Sequence, residues 1–154
     1  MGKGKFWKKE KLTLGNAMGI ILLGILFSLS LNFLFAVSGF LHSSETYQQV
    51  AEKQFSVPLF QALFLYGVWS PLVEEVIFRG IVYRVLRKYL SLSIAVFGSA
   101  LIFGGYHGNL VQLVYGTIMG VVMALLYEKY ETLMAPILFH GAANTAIYVV
   151  TYFF

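Results

Sequence analysis

The chain of 154 residues contains no cysteine and no aspartate; all seven acidic residues are glutamates, at 10, 45, 52, 74, 75, 128 and 131. Without cysteine there is no disulfide framework, no thiolate zinc site and no cysteine nucleophile. Without aspartate there is no aspartyl dyad. Charge of either sign is scarce: Asp, Glu, Lys and Arg make up 12% of the residues, about half the share in an ordinary soluble domain. Proline is also sparse, with three in all. What fills the chain instead is apolar, 58% of it, with a mean hydropathy of +0.75. That excludes a soluble globule, a disordered chain and a fibrous repeat, and points to a membrane protein.

The net charge of +4 is unevenly spread. Five of the eleven cations are lysines among the first eleven residues, and the rest of the chain is near neutral. A basic tail on an oily body is an orientation signal and excludes a nucleic-acid surface as the meaning of the charge.

Five apolar stretches long enough to approach a bilayer crossing fall at 12–41, 59–82, 91–106, 110–127 and 133–154. The expected fold class is therefore all-α, a polytopic membrane helical bundle of about five transmembrane helices; an open sheet leaves edge hydrogen bonds unpaired in lipid. One membrane domain over 1–154 is expected, with the first span within 12–41 and a catalytic core over 57–154. The first stretch has a signal-like basic start and an Ala36-Val37-Ser38 tripeptide. Its apolar run is about twice the usual 7–15 residues of a signal peptide, so it reads as a retained span. Cations cluster at the N-terminus, at Arg84, Arg87 and Lys88, and at Lys129. The positive-inside rule then puts the N-terminus in the cytoplasm and loop 42–56 outside, in a multi-pass plasma-membrane protein.

Local signals are consistent with helices. Ser56 before Val57-Pro58 reads as an N-cap and first turn. Pro71 removes a backbone bond to the Gly67 carbonyl and predicts a kink. Gly116, Gly120 and Ala124 form a small-residue ridge that suits packing inside the monomer better than homodimerisation; the oligomeric state stays open. His42 is expected in solvent, Trp7, Trp69, Tyr148 and Tyr152 at the lipid or interface, and Glu128, Lys129 and Glu131 in a solvated turn.

Polar side chains inside spans are costly and usually functional. Glu75 and Arg79 are four apart and share a helix face. Glu74 points about 100° away, so one glutamate is held by arginine and the other can face a cavity. A plain ion-pair network at a helix end is the structural alternative. His107 and Glu74 lie equally far from the turn at Leu90-Ser91, each about 24 Å along its helix, and so at one height in a helical hairpin. His140 and Asn144, four apart, share a face of the last span at a similar depth. Gly141, Ala142 and Ala143 leave room for a ligand or a close helix.

Those groups suit peptide hydrolysis without a metal. His-Glu-x-x-His and Gly-x-Ser-x-Gly are both absent. A desolvated glutamate and a histidine can activate water, and His140 with Asn144 can donate to an oxyanion. Glu74, His107 and His140 would also satisfy a zinc site with one carboxylate and two imidazoles, though no cofactor is the favoured expectation.

The ordered set Glu74-Glu75-x-x-x-Arg79, Phe103-x-x-x-His107 and His140-x-x-x-Asn144 resembles the CAAX protease and bacteriocin-processing family, also called CPBP or Abi, related to the CAAX prenyl endopeptidases. The match covers 74–144, with motifs at 74–79, 103–107 and 140–144. It implies a compact intramembrane endopeptidase core of the bacterial type, acting on a peptide or membrane-protein substrate in the bilayer, with bacteriocin processing or self-immunity as one association. It also implies that Glu74 and His107 activate water, that His140 and Asn144 form the oxyanion site, and that Glu75 and Arg79 support them. The alternatives are a non-catalytic immunity or partner protein that kept the fold, and a small proton-coupled transporter.

Overall fold

A computed structural model describes residues 10–153. Trp7, the lysines at 3, 5, 8 and 9, and Phe154 lie outside the described residues. All regular elements among the described residues are helices, as expected. They are α1 (Leu14–Val37), α2 (Glu45–Phe55), α3 (Leu59–Tyr89), α4 (Leu92–Tyr106), α5 (Leu110–Tyr130) and α6 (Met134–Phe153). A short 3₁₀ turn, Phe40–His42, joins α1 to α2.

The five expected apolar helices are all present. Length and composition let α1, α5 and α6 cross a membrane singly. The charged α3 meets the same test together with α2, from which it is bent by 113°. Helix α4 is apolar but has 15 residues, roughly 22 Å against a hydrocarbon core of roughly 30 Å.

Caps explain several boundaries. The Thr13 hydroxyl accepts from the Asn16 amide (3.2 Å), and the Asn109 side chain accepts from the Gln112 amide (2.9 Å). Ser44 caps α2, a helix where a loop was expected, by accepting from Tyr47 N–H at 3.2 Å. Ser56, expected to begin a helix, instead ends α2: its hydroxyl donates to Lys53 O at 2.9 Å. Pro58 then precedes α3, and its carbonyl accepts from Ala62 N–H at 2.9 Å. Between α4 and α5 the chain reverses through Gly108, whose φ of +73° suits a residue without Cβ.

Helix α3 is continuous but widens twice to π geometry, over Leu65–Trp69 and Phe78–Tyr83. Pro71 follows directly on the first widening. Ser70 N–H bonds the carbonyl of Leu65, five residues back. In that register the carbonyl facing Pro71 belongs to Tyr66, not to Gly67 as expected, because each donor has moved by one residue.

Helix α1 packs along α6 and α4 along α5, while α3 lies against α6 and α4. Close crossings use small residues. A Cβ on Gly116 would lie 3.0 Å from Gly104 Cα, and one on Gly120 would lie 2.9 Å from Ala100 Cα. The expected ridge on α5 is therefore an internal seam. Gly141 lies against the Gly67 carbonyl, so the small residues after His140 admit a close helix there. Phe78, Phe103, Met119, Met123, Phe139 and Ala143 form the apolar centre. Leu22, Phe33, Phe97 and Leu101 point outward and keep large apolar surfaces exposed.

At the cation-rich end, Glu128 departs from the expected solvated turn. It accepts from Tyr83 Oη at 2.6 Å and from Arg87 Nη2 at 3.1 Å, tying α5 to α3. Lys129 pairs with Glu10 at 3.3 Å. His42, Trp69 and Tyr152 are exposed, in line with expectation.

Candidate active site

Opposite the cation-rich end, α1, α2, α3, α4, α5 and α6 enclose a cavity of about 320 Å³. Glu74, His107, His140 and Asn144 all line it. Three helices supply them: α3 the glutamate, the end of α4 the first histidine, α6 the second histidine and the amide. Glu75 and Arg79 are fully buried and lie outside that lining. The two adjacent glutamates are thus separated by helical phase, one toward the cavity and one toward the protein interior.

Each polar group is held by a specific partner. Glu74 Oε1 accepts from the hydroxyl of Ser70, one turn earlier on the same face. Its Oε2 lies 3.7 Å from His140 Nε2. The other ring nitrogen, His140 Nδ1, lies 2.9 Å from Glu75 Oε1 and donates to it. Arg79 Nη1 donates to the same Oε1 at 2.8 Å, and Nη2 donates to the Gly120 carbonyl at 3.2 Å. The guanidinium carbon sits 4.6 Å from the Phe103 ring centroid, a cation–π contact. Arg79 therefore anchors Glu75, and Glu75 orients His140 by fixing a proton on Nδ1.

His107 follows the last turn of α4. Its Nδ1 lies 3.0 Å from Phe103 O, which can only accept, so Nδ1 carries a proton. In the neutral ring Nε2 is then the acceptor nitrogen. Phe103 also packs its ring edge-to-face on both His107 and His140, at 5.2 and 5.7 Å.

Asn144 has a structural task that its motif spacing does not reveal. Its Nδ2 donates at 2.8 Å to Tyr66 O, the carbonyl facing Pro71 in the widened turn. An amide has two such hydrogens, so one remains. No group of three His, Asp or Glu side chains among the described residues is arranged to hold a metal ion.

Ser70 and Tyr148 line the cavity but were not read from the sequence as part of the site. Ser70 could have been found from its spacing of four before Glu74. Tyr148, expected at the lipid face, is 7% exposed and lines the cavity, stacked on Tyr66 with centroids 4.9 Å apart and planes at 3°. Continuing the spacing of four from His140 through Asn144 reaches it.

Comparison with known proteins shows the family. Residues 56–146 match the family described as Type II CAAX prenyl endopeptidase Rce1-like. The chain is 31% identical over 113 residues to "Putative membrane peptidase YdiL" of Bacillus subtilis (strain 168), covering 73% of this chain and 46% of that protein. The chain thus spans less than half the length of that curated relative. No solved structure matches it. With its apolar helices, the chain is a multi-pass membrane protein, and it belongs to the family described as Type II CAAX prenyl endopeptidase Rce1-like.

Proposed function

We propose that this chain is an intramembrane endopeptidase that hydrolyses a peptide bond with a water activated by Glu74 and His107. The observation that carries the proposal is the sorting of polar groups. Glu74, His107, His140 and Asn144 line one cavity, while Glu75 and Arg79 lie buried outside it.

The roles follow from the hydrogen bonds. The Glu74 carboxylate takes a proton from the water as the water oxygen attacks the substrate carbonyl carbon. His107 Nε2 accepts the water's other hydrogen bond and so aims its lone pair. The carbonyl oxygen becomes an oxyanion, which the remaining Asn144 N–H stabilises, joined by His140 Nε2–H when that ring carries a proton on both nitrogens. Protonated Glu74 then gives its proton to the leaving amine, and the C–N bond breaks. Glu75 and Arg79 keep His140 in place throughout. The substrate is a peptide or a membrane-protein segment, and the biological setting proposed is bacteriocin processing or self-immunity at the plasma membrane.

Orientation belongs to the same proposal. Arg84, Arg87, Lys88 and Lys129 sit at one end of the bundle, and Leu41, Tyr47, Gln54 and Phe55 of the α1–α2 connection and α2 line the cavity. With the cationic end and the N-terminus cytoplasmic, the cavity faces outward.

The test is a substrate screen on purified protein in proteoliposomes, read by peptide mass. Wild type should yield products that Glu74→Gln and His107→Ala do not. No Glu74-dependent product, together with unchanged cellular function in both variants, would favour a non-catalytic partner role and overturn the proposal.

A further inference from the structure

His140, Asn144 and Tyr148 follow one another at intervals of four along a single face of α6, and all three line the cavity. The first two are bonded within the protein, to Glu75 and to Tyr66. Tyr148 differs. Its hydroxyl oxygen is buried and has no hydrogen-bond partner among the described residues. Its ring is firmly held, stacked on Tyr66 and tilted against Phe55 at 4.9 Å. Tyr66 is the residue whose carbonyl Asn144 caps, so ring and amide are fixed to one framework.

Buried hydroxyls without partners are rare in native proteins. The hydroxyl oxygen is covered in this structure, so a partner reaches it only when a bound chain displaces the side chains that cover it. Tyr148 and Phe55 also form part of the wall of a second cavity, of about 200 Å³, under the α2–α3 bend. The Tyr148 ring therefore forms part of the wall that the two cavities share.

We propose that Tyr148 is a substrate-binding residue whose hydroxyl donates to a backbone carbonyl of an extended apolar peptide lying along the His140–Asn144–Tyr148 face. The spacing supports this. Four residues of helix rise about 6 Å, and two residues of extended peptide rise about 6.6 Å. Carbonyls two residues apart point to the same side. A peptide with its scissile carbonyl at Asn144 thus presents the carbonyl two residues away to Tyr148. The Phe55 and Tyr66 rings form an apolar wall beside it, and no lysine or arginine lines either cavity to hold a free carboxylate. The register relative to the scissile bond rests on the proposed peptidase function; the hydrogen bond does not.

Tyr148→Phe removes the hydroxyl and keeps the ring, so the stack on Tyr66 survives. On a substrate from the screen, KM should rise about tenfold with kcat little changed, the pattern of a uniform binding contact. A second measurement needs no catalysis. A fluorescent apolar decapeptide, acetylated and amidated, is titrated against Glu74→Gln and against Glu74→Gln/Tyr148→Phe. The double variant should bind about tenfold more weakly, with exposed Tyr152→Phe as the silent control. Equal affinities within twofold, or no saturable binding to either protein, overturn the assignment. If cleavage depends on Glu74 while Tyr148→Phe changes neither KM nor affinity, the Tyr148 assignment alone falls. If no cleavage occurs but the tenfold loss of binding does, the hydroxyl contact stands and the peptidase reading falls.

Discussion

Replacing Arg79 by methionine tests whether the ion pair beneath the cavity holds the site together. Glu75 Oε1 accepts from Arg79 Nη1 at 2.8 Å and from His140 Nδ1 at 2.9 Å, and both Glu75 and Arg79 are fully buried. At an effective dielectric of about 20 and a charge separation of about 4 Å, the attraction lost with Arg79 is about 4 kcal/mol. Methionine fills much of the volume but leaves the Glu75 carboxylate without its cation. Removing one partner of a buried pair costs about 3–5 kcal/mol, and Arg79→Met should destabilise by that amount. Glu75→Gln/Arg79→Met removes both charges and leaves His140 a carbonyl oxygen to donate to. It should recover to within about 2 kcal/mol of wild type, since neutral replacements of buried pairs are often tolerated. The coupling between the two sites should then be at least about 1 kcal/mol, and larger by whatever Glu75→Gln costs alone. The assay is reversible unfolding in mixed micelles followed by tryptophan fluorescence, where the unfolded state lets Glu75 reach water. An Arg79→Met variant within about 1 kcal/mol of wild type would refute the reasoning, as would a double variant as unstable as the summed singles.

Ser70→Ala removes the hydroxyl that donates to Glu74 Oε1; losing a charge-assisted bond of about 1.5 kcal/mol should lower kcat about tenfold with KM unchanged. Asn144→Ala should act twice. It leaves the Tyr66 carbonyl unpaired at a cost of about 1–3 kcal/mol, and it lowers kcat by about 10²–10³ through the lost oxyanion donor, so unfolding and turnover must both change. Because the chain has no cysteine, single substitutions report topology cleanly: Gln54→Cys should react with an impermeant maleimide on intact cells, and Lys129→Cys only after permeabilisation. The reverse pattern would invert the orientation. Turnover should persist in strong chelator; loss on chelation with recovery on added zinc would restore the metal alternative at Glu74, His107 and His140.

The spans were legible because bilayer thickness and backbone satisfaction leave so few solutions for a chain this apolar. The placing of Glu74 and Glu75 on different faces of α3 was also legible, since it needs only the helical period and the partner at Arg79. The end of α2 was misread at Ser56. A serine before proline suits a helix start, but the same hydroxyl can serve the preceding turn, and here it bonds Lys53 O. Glu128 was misread because its partners lie far off in sequence, at Tyr83 and Arg87. Tyr148 was misread for a subtler reason. An aromatic near the end of a span fits the membrane interface by composition, and only the fold brings Tyr66 and Phe55 against its faces.

The widened turn in α3 connects these cases. Sequence places a proline in a span and predicts a missing bond at Gly67. The chain instead shifts its donors by one residue over Leu65–Trp69, and the unserved carbonyl becomes that of Tyr66. That carbonyl is then bonded by Asn144, which fixes α6 against α3 at the depth of the cavity. The same turn precedes Ser70 and Glu74, so it sets the angle at which their side chains enter the cavity. It also presents the Tyr66 ring as the stacking surface for Tyr148. Single π turns inside α-helices occur often at functional sites, and here the physical reason is visible. One displaced hydrogen bond joins the helix that carries the proposed base to the helix that carries the proposed oxyanion donors, so neither can move without exposing a backbone carbonyl.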